Sequence, residues 1–169
     1  SYLLSLLPVL EEAGVDRLEL PVFLTDSLRL TRDDDIRFAG EDLDLAVDHL
    51  VGNPPWITWG NLSEQVRDAW RAKYVKHLDL LPHHGVETRL GHVNDDISVP
   101  FIWVCIHHYL SENGDASFVL KRDIMKGPAG RLLRTQRVNS RPVAVQHIHD
   151  FNRLRPFGDD VGVHSAIYT

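Results

Sequence analysis

The chain has 169 residues, of which 43% are hydrophobic and 25% charged; that composition excludes a disordered or fibrous protein and fits one soluble domain with enough apolar side chain for a core. No apolar run approaches the roughly 20 residues of a membrane-spanning helix, no basic-then-apolar leader opens the chain, and the single Cys105 excludes an internal disulfide, so a reducing, cytoplasmic setting without membrane attachment is expected. The net charge of −6 argues against indiscriminate nucleic-acid binding, yet residues 121–141 set seven cations against Asp123 alone, a local +6 that leaves −12 for the remainder.

In chain order, leucines at helical spacing in SYLLSLLPVLEEAG predict a helix closed by Gly14. RLELPVFLTDSL predicts a strand opening into a loop at Asp26, and DLAVDHLVG a second strand stopped by prolines. NLSEQVRDAWRAKYVKHL is helical in pattern, with Ser63 as N-cap. The polar, turn-rich HHGVETRLGHVNDD that follows makes residues 57–96 a long excursion. SVPFIWVCIHHYL predicts an apolar helix capped by Ser98, SENGD a turn, and ASFVLKR a strand. A basic loop-helix segment follows, then PVAVQHIHDF and VGVHSAIYT as an antiparallel strand pair. Alternating strands and helices give an α/β sheet.

The chemistry concentrates at Asn53-Pro54-Pro55-Trp56, directly after the second strand. Ligands of open α/β sheets sit beyond the carboxyl ends of strands. Consecutive prolines stiffen the turn and restrict the residues before them to extended conformations. Such a turn presents the Asn53 amide oxygen and the Pro54 carbonyl as neighbouring acceptors for a nitrogen bearing two hydrogens. Trp56 offers a flat face on which an extruded base stacks. The competing reading is a proline-stopped strand with a tryptophan in the core.

These residues resemble the NPPW motif of class I S-adenosylmethionine-dependent amino-methyltransferases, above all the N6-adenine DNA methylases of restriction–modification and phage-defence systems. VGNPPWITWGNLSEQVRDAW, with its second tryptophan Trp59, is similar to their catalytic loop and following helix; NDDISVPFIWVCIHHYLSENGDASFVLKRDIMKGPAG is similar to their next acidic residue, apolar helix, strand and small-residue loop. The resemblance covers most of residues 20–169. It implies a partial Rossmann-like fold, with a mostly parallel sheet, an antiparallel C-terminal strand and no N-terminal glycine-loop strand. Residues 1–169 would then form a single truncated catalytic domain. It further implies S-adenosylmethionine as cofactor, DNA as partner, and a separate upstream segment, specificity domain or nuclease subunit. Asn53 and Pro54 would hold the target amino group, with Pro55 completing the catalytic motif, Trp56 and Phe157 on the two sides of the base and Asp26 on the cofactor's adenine. Lys121, Arg122, Lys126, Arg131 and Arg134 are the candidate phosphate contacts. Two alternatives stay open: an amide or RNA amino-group methyltransferase, and a non-catalytic nucleic-acid or subunit-binding module.

Other constellations are weaker. His83–His84, His107–His108 and His147-x-His149-Asp150 lack a convincing third metal ligand, the acidic run at 33–35 reads as a solvated loop, and KGPAG lacks the spacing of a phosphate-binding loop. Cys105, inside FIWVCI, reads as a buried and inert thiol.

Overall fold

A computed structural model describes residues 5–15, 17, 19–27, 34–70, 96–127, 130–135, 137–138, 141–154, 156–158 and 162–169. The tail of the helix expected after Asn61, most of the 57–96 excursion and His83–His84 lie outside the described residues. The chain divides into two compact units, Ser1–Asp44 and Leu45–Thr169.

In the first unit, helix α1 (Leu7–Glu12) carries Pro8 in its first turn and buries no residue. Gly14, at φ +72, ends it, and the Val15 N–H reaches back to the Leu10 carbonyl, a left-handed C-terminal stop that glycine adopts without a Cβ penalty. A small hairpin follows, unannounced by any apolar alternation: β1 (Arg37–Phe38) pairs antiparallel with β2 (Glu41–Asp42). Its two-residue turn, Ala39-Gly40, has φ +53 and +89, the twist that two-residue hairpins demand. The strand expected over residues 17–28 does not form among its described residues. Val22 and Leu24 are exposed there, and Pro21 removes a ladder donor in mid-segment. An apolar run without a partner strand has no ladder to join.

The second unit contains, in order, β3 (Val47–Gly52), a 3-10 turn at Trp59–Asn61, α2 (Glu64–Trp70), α3 (Ser98–Tyr109), β4 (Leu110–Lys121) and a 3-10 turn at Arg122–Met125. It continues with α4 (Arg131–Thr135), β5 (Arg137–Val138), β6 (Arg141–Pro142), β7 (Ile148–Asp150) and β8 (Ser165–Tyr168). Strands β5 and β6 form a separate antiparallel pair. The main sheet has the order β3-β4-β8-β7. β3 and β4 are parallel, with α3 in the connection, whereas β8 is antiparallel to both β4 and β7. Three strands therefore run one way and the final one is reversed, inserted between two earlier strands. The architecture is mixed α/β with parallel and antiparallel ladders.

The core lies between α3 and one face of this sheet. Val99, Ile102, Trp103 and Ile106 of α3 are buried, as are Phe118 and Leu120 of β4 and Ala166 and Tyr168 of β8. Fully burying each large apolar side chain contributes about 1.5–3 kcal/mol, so this cluster dominates the stability of the unit. Ser98 is not the cap expected: it lies inside the helix and is fully buried. The Asp96 carboxylate instead accepts the Ser98 N–H at 2.9 Å, supplying an acceptor to an orphan donor of the first turn. At the other end, the Arg141 guanidinium donates to the Ile106, Leu110 and Ser111 carbonyls, placing a cation where the helix carries its negative end. At α2 the expected cap is present, with Ser63 Oγ accepting the Val66 N–H at 3.4 Å.

Two strand expectations are corrected. SENGD is no turn: it lies inside β4, absorbed as a bulge, because β3 advances from Val47 to His49 while β4 advances from Leu110 to Asp115. Gly114 permits it, since a Cβ there would stand 2.8 Å from the Asp48 carbonyl oxygen. Of PVAVQHIHDF only Pro142, which ends β6, and Ile148–Asp150 are strand. Gln146 and His147 still bond Thr169, at 2.7–3.1 Å, so the edge continues without regular pairing. No helix among the described residues is long and apolar enough to cross a membrane.

Candidate functional site

The carboxyl end of β3 delivers the chain into Asn53-Pro54-Pro55-Trp56. Gly52 lies so close to β4 that an added Cβ would meet the Phe118 ring at 3.1 Å, which draws the turn tight against the sheet. Asn53 is exposed, Pro54 buried, and Pro55 and Trp56 half-buried. Asn53 is thus open to solvent, while the proline that follows it is packed down.

Trp56 is fixed at its edge and at its face. Its indole N–H donates to the Val119 carbonyl of β4 at 3.3 Å. Its ring meets Phe157 edge to face, with centroids 5.6 Å apart and planes at 87°. Phe157 comes from the turn between β7 and β8, beside Gly158 at φ +86, and remains 45% exposed. Two aromatic residues singled out from distant parts of the sequence therefore stand together, one of them three residues after Asn53 in the chain. Trp59, by contrast, is 1% exposed and packs edge to face on Trp70 at 6.4 Å; the second tryptophan is a core anchor rather than a ligand platform. Asp26 belongs to the other compact unit, exposed on an irregular segment.

The basic cluster is largely engaged internally. Lys121 Nζ lies 2.5 Å from the buried Asp96 carboxylate. Arg122 Nε donates to Asp150 at 2.7 Å, and Arg134 donates to the Met125 and Gly127 carbonyls, bracing the loop before α4. Lys126 pairs with Asp123 at 2.8 Å; its hydrogen bond and charge hold the exposed Asp123 carboxyl below the ordinary value. Arg131 is half-buried on α4. Lys126, with its ion pair exposed to solvent, is the freest of the five to meet a phosphate.

Asp96, in the acidic stretch that the resemblance covers, was not named as a cap, although it stands two positions ahead of Ser98, where α3 begins and a capping carboxylate belongs. It bridges antiparallel to Thr58, and the Ile97 N–H donates to the Ile57 carbonyl at 3.0 Å, so the segment after Trp56 is stitched to the start of α3.

His147 and His149 are exposed at the sheet edge, and among the described residues no group of three or more His, Cys, Asp or Glu side chains is placed to hold a metal ion. Cys105 is buried as expected, and desolvation pushes its thiol up to about 12, which leaves it non-nucleophilic near neutrality.

No protein-family model matches the chain, and no curated protein resembles it at a significant level of sequence similarity.

Proposed function

We propose that this chain forms the target-base side of an S-adenosylmethionine-dependent N6-adenine DNA methyltransferase. One observation carries the reading: Trp56 and Phe157, far apart in sequence, meet in the segment that follows an exposed Asn53 at the carboxyl end of a parallel strand. The reversed final strand in a sheet whose other strands share a direction supports the Rossmann-like fold that the resemblance implies.

The chain's own residues then do two things. The Asn53 side-chain oxygen and the Pro54 carbonyl accept the two hydrogens of the adenine amino group, orienting it and favouring a more pyramidal nitrogen whose lone pair is localised. This is positioning and electrostatics, not deprotonation. Trp56 stacks on the extruded base, an interaction worth about 1–3 kcal/mol, with Phe157 on its other side. The residues do not fit a complete cofactor site: Asp26 is one exposed carboxylate on an irregular segment, and the sequence offers no glycine-rich loop of the required kind. The proposed catalytic role accordingly stops at holding the acceptor.

The test is methyl transfer from S-adenosylmethionine to adenine in duplex DNA by the intact protein, with Asn53→Ala as comparison and calorimetric titration of S-adenosylmethionine into the 169-residue chain alongside. Loss of adenine methylation in the variant supports the proposal. Undiminished methylation removes Asn53 from catalysis, and transfer to a glutamine amide or RNA instead of DNA changes the substrate class.

A further inference from the structure

We infer that Asp96 and Lys121 are positioning residues for the Asn-Pro-Pro-Trp turn, and that Lys121 serves the protein rather than the DNA backbone. The contacts form a closed circuit. From Trp56 the chain runs through Ile57 to Thr58, and Thr58 bridges to Asp96. Asp96 meets Lys121 at 2.5 Å, and Lys121 lies two residues beyond Val119 in β4. Val119 takes the Trp56 indole N–H at 3.3 Å. The turn is therefore fastened to the end of β4 twice, once directly through the indole and once through an ion pair.

The ion pair is the half of the circuit sheltered from water. The side chain of Asp96 is 8% exposed and that of Lys121 29%, so the interaction escapes most solvent screening. The other carboxylate oxygen of Asp96 takes the Ser98 N–H, tying its position to α3. One carboxylate thus locks three elements together: the segment after Trp56, the first turn of α3 and the end of β4. A cation held in this way is poorly placed to neutralise a phosphate. The effect on catalysis rests on the function proposed above; the effect on Trp56 does not.

The experiment labels the four tryptophans of the full chain with 5-fluorotryptophan and assigns the Trp56 fluorine resonance with Trp56→Phe. In Asp96→Asn, which keeps the acceptor for Ser98, and in Lys121→Met, the Trp56 resonance is expected to move or broaden and indole N–H exchange to rise by roughly tenfold through local opening, while the Trp103 resonance stays. Lys121→Arg is expected to hold the wild-type position. Should Lys121→Met fail to fold, the double variant Asp96→Asn/Lys121→Met, which leaves no buried charge unpaired, carries the same comparison.

An unmoved Trp56 in the folded variants overturns the inference. So does a fall of about one in the salt slope of DNA binding on Lys121→Met with Trp56 unmoved, the signature of a phosphate contact. In the intact protein Asp96→Asn is expected to lower kcat for methyl transfer with little change in KM for DNA. An absence of methyl transfer in the wild-type protein refutes the proposed function, and the fluorine result still decides the positioning role.

Discussion

Trp56 meets Phe157 edge to face at 5.6 Å between ring centroids, and this contact closes the space in which a base would be held. A base sandwiched between two parallel rings needs them about 7 Å apart, two aromatic contacts of roughly 3.5 Å each. The perpendicular pair must part first. The two rings are unequally held: Trp56 is half-buried and anchored through its indole N–H, whereas Phe157 is 45% exposed beside a glycine turn. Phe157 is the less anchored of the two.

Substitutions at the two rings separate accordingly. If the site takes an extruded adenine as proposed, Trp56→Ala is expected to weaken binding of DNA carrying 2-aminopurine at the target position by about 1–3 kcal/mol and to abolish the fluorescence rise that extrusion would give. Phe157→Ala is expected to cost less affinity and to speed the rise, because the closed pair no longer has to open. Stopped-flow fluorescence checks both, and equal effects at the two positions would mean that the rings act as one rigid wall.

The loop before α4 gives a stability prediction. A Cβ on Gly130 would stand 2.2 Å from the Ile124 carbonyl oxygen and 2.9 Å from Met125 Cα. Both neighbours are backbone, so the 3-10 turn at Arg122–Met125 itself has to shift. Gly130→Ala is expected to destabilise the chain by about 1–3 kcal/mol, the usual cost of overpacking, read from the midpoint of urea unfolding at unchanged slope. A wild-type midpoint would show that the turn moves freely.

How much of this was legible depends on whether the signal was local. The end of β3 was legible because proline cannot donate to a ladder and restricts the residue before it, and α3 because an uninterrupted apolar run with an early proline reads as a buried helix. The hairpin at Arg37–Asp42 was not, since its strands are two residues long and hold no apolar alternation. SENGD carried a turn composition that the ladder with β3 overrode as a bulge. The Asp96–Lys121 pair joins residues that only the fold brings together, so charge counting along the chain could not find it.

Alkaline pH offers a further check. Burial pushes the Cys105 thiol from 9.0 up to about 12. Burial also raises the Tyr168 phenol above 10.0, helped by Asp123 and Asp150 and opposed by Arg122, while its hydroxyl donates to the Arg122 carbonyl at 2.6 Å. Both groups are neutral when protonated, and the unfolded chain releases these protons first. The folded state therefore holds more protons above the unfolded values, and stability falls as pH rises. The Cys105 contribution is complete below about pH 9 and is lost progressively toward about 12. Urea midpoints at pH 8, 10 and 11 are expected to decline in the wild type and to decline less steeply in Cys105→Ala. Equal slopes would mean that the thiol is reached by water without unfolding.

Two cations of the basic segment are expected to behave in opposite ways. Arg134 bonds the Met125 and Gly127 carbonyls; Arg134→Ala removes both bonds and is expected to cost about 1–2 kcal/mol of stability, and any DNA affinity would follow the folded fraction. Lys126 has a side chain 80% exposed and meets Asp123 only in a surface pair. Such a pair contributes little, so Lys126→Glu is expected to leave the urea midpoint within the range of about 0.5 kcal/mol typical of surface changes. If the segment follows a DNA backbone, the same substitution lowers affinity at every sequence and reduces the salt slope by about one. Measuring both variants by unfolding and by salt-dependent binding separates a brace from a contact. A Lys126→Glu protein that binds DNA as the wild type does would move the phosphate path away from this segment.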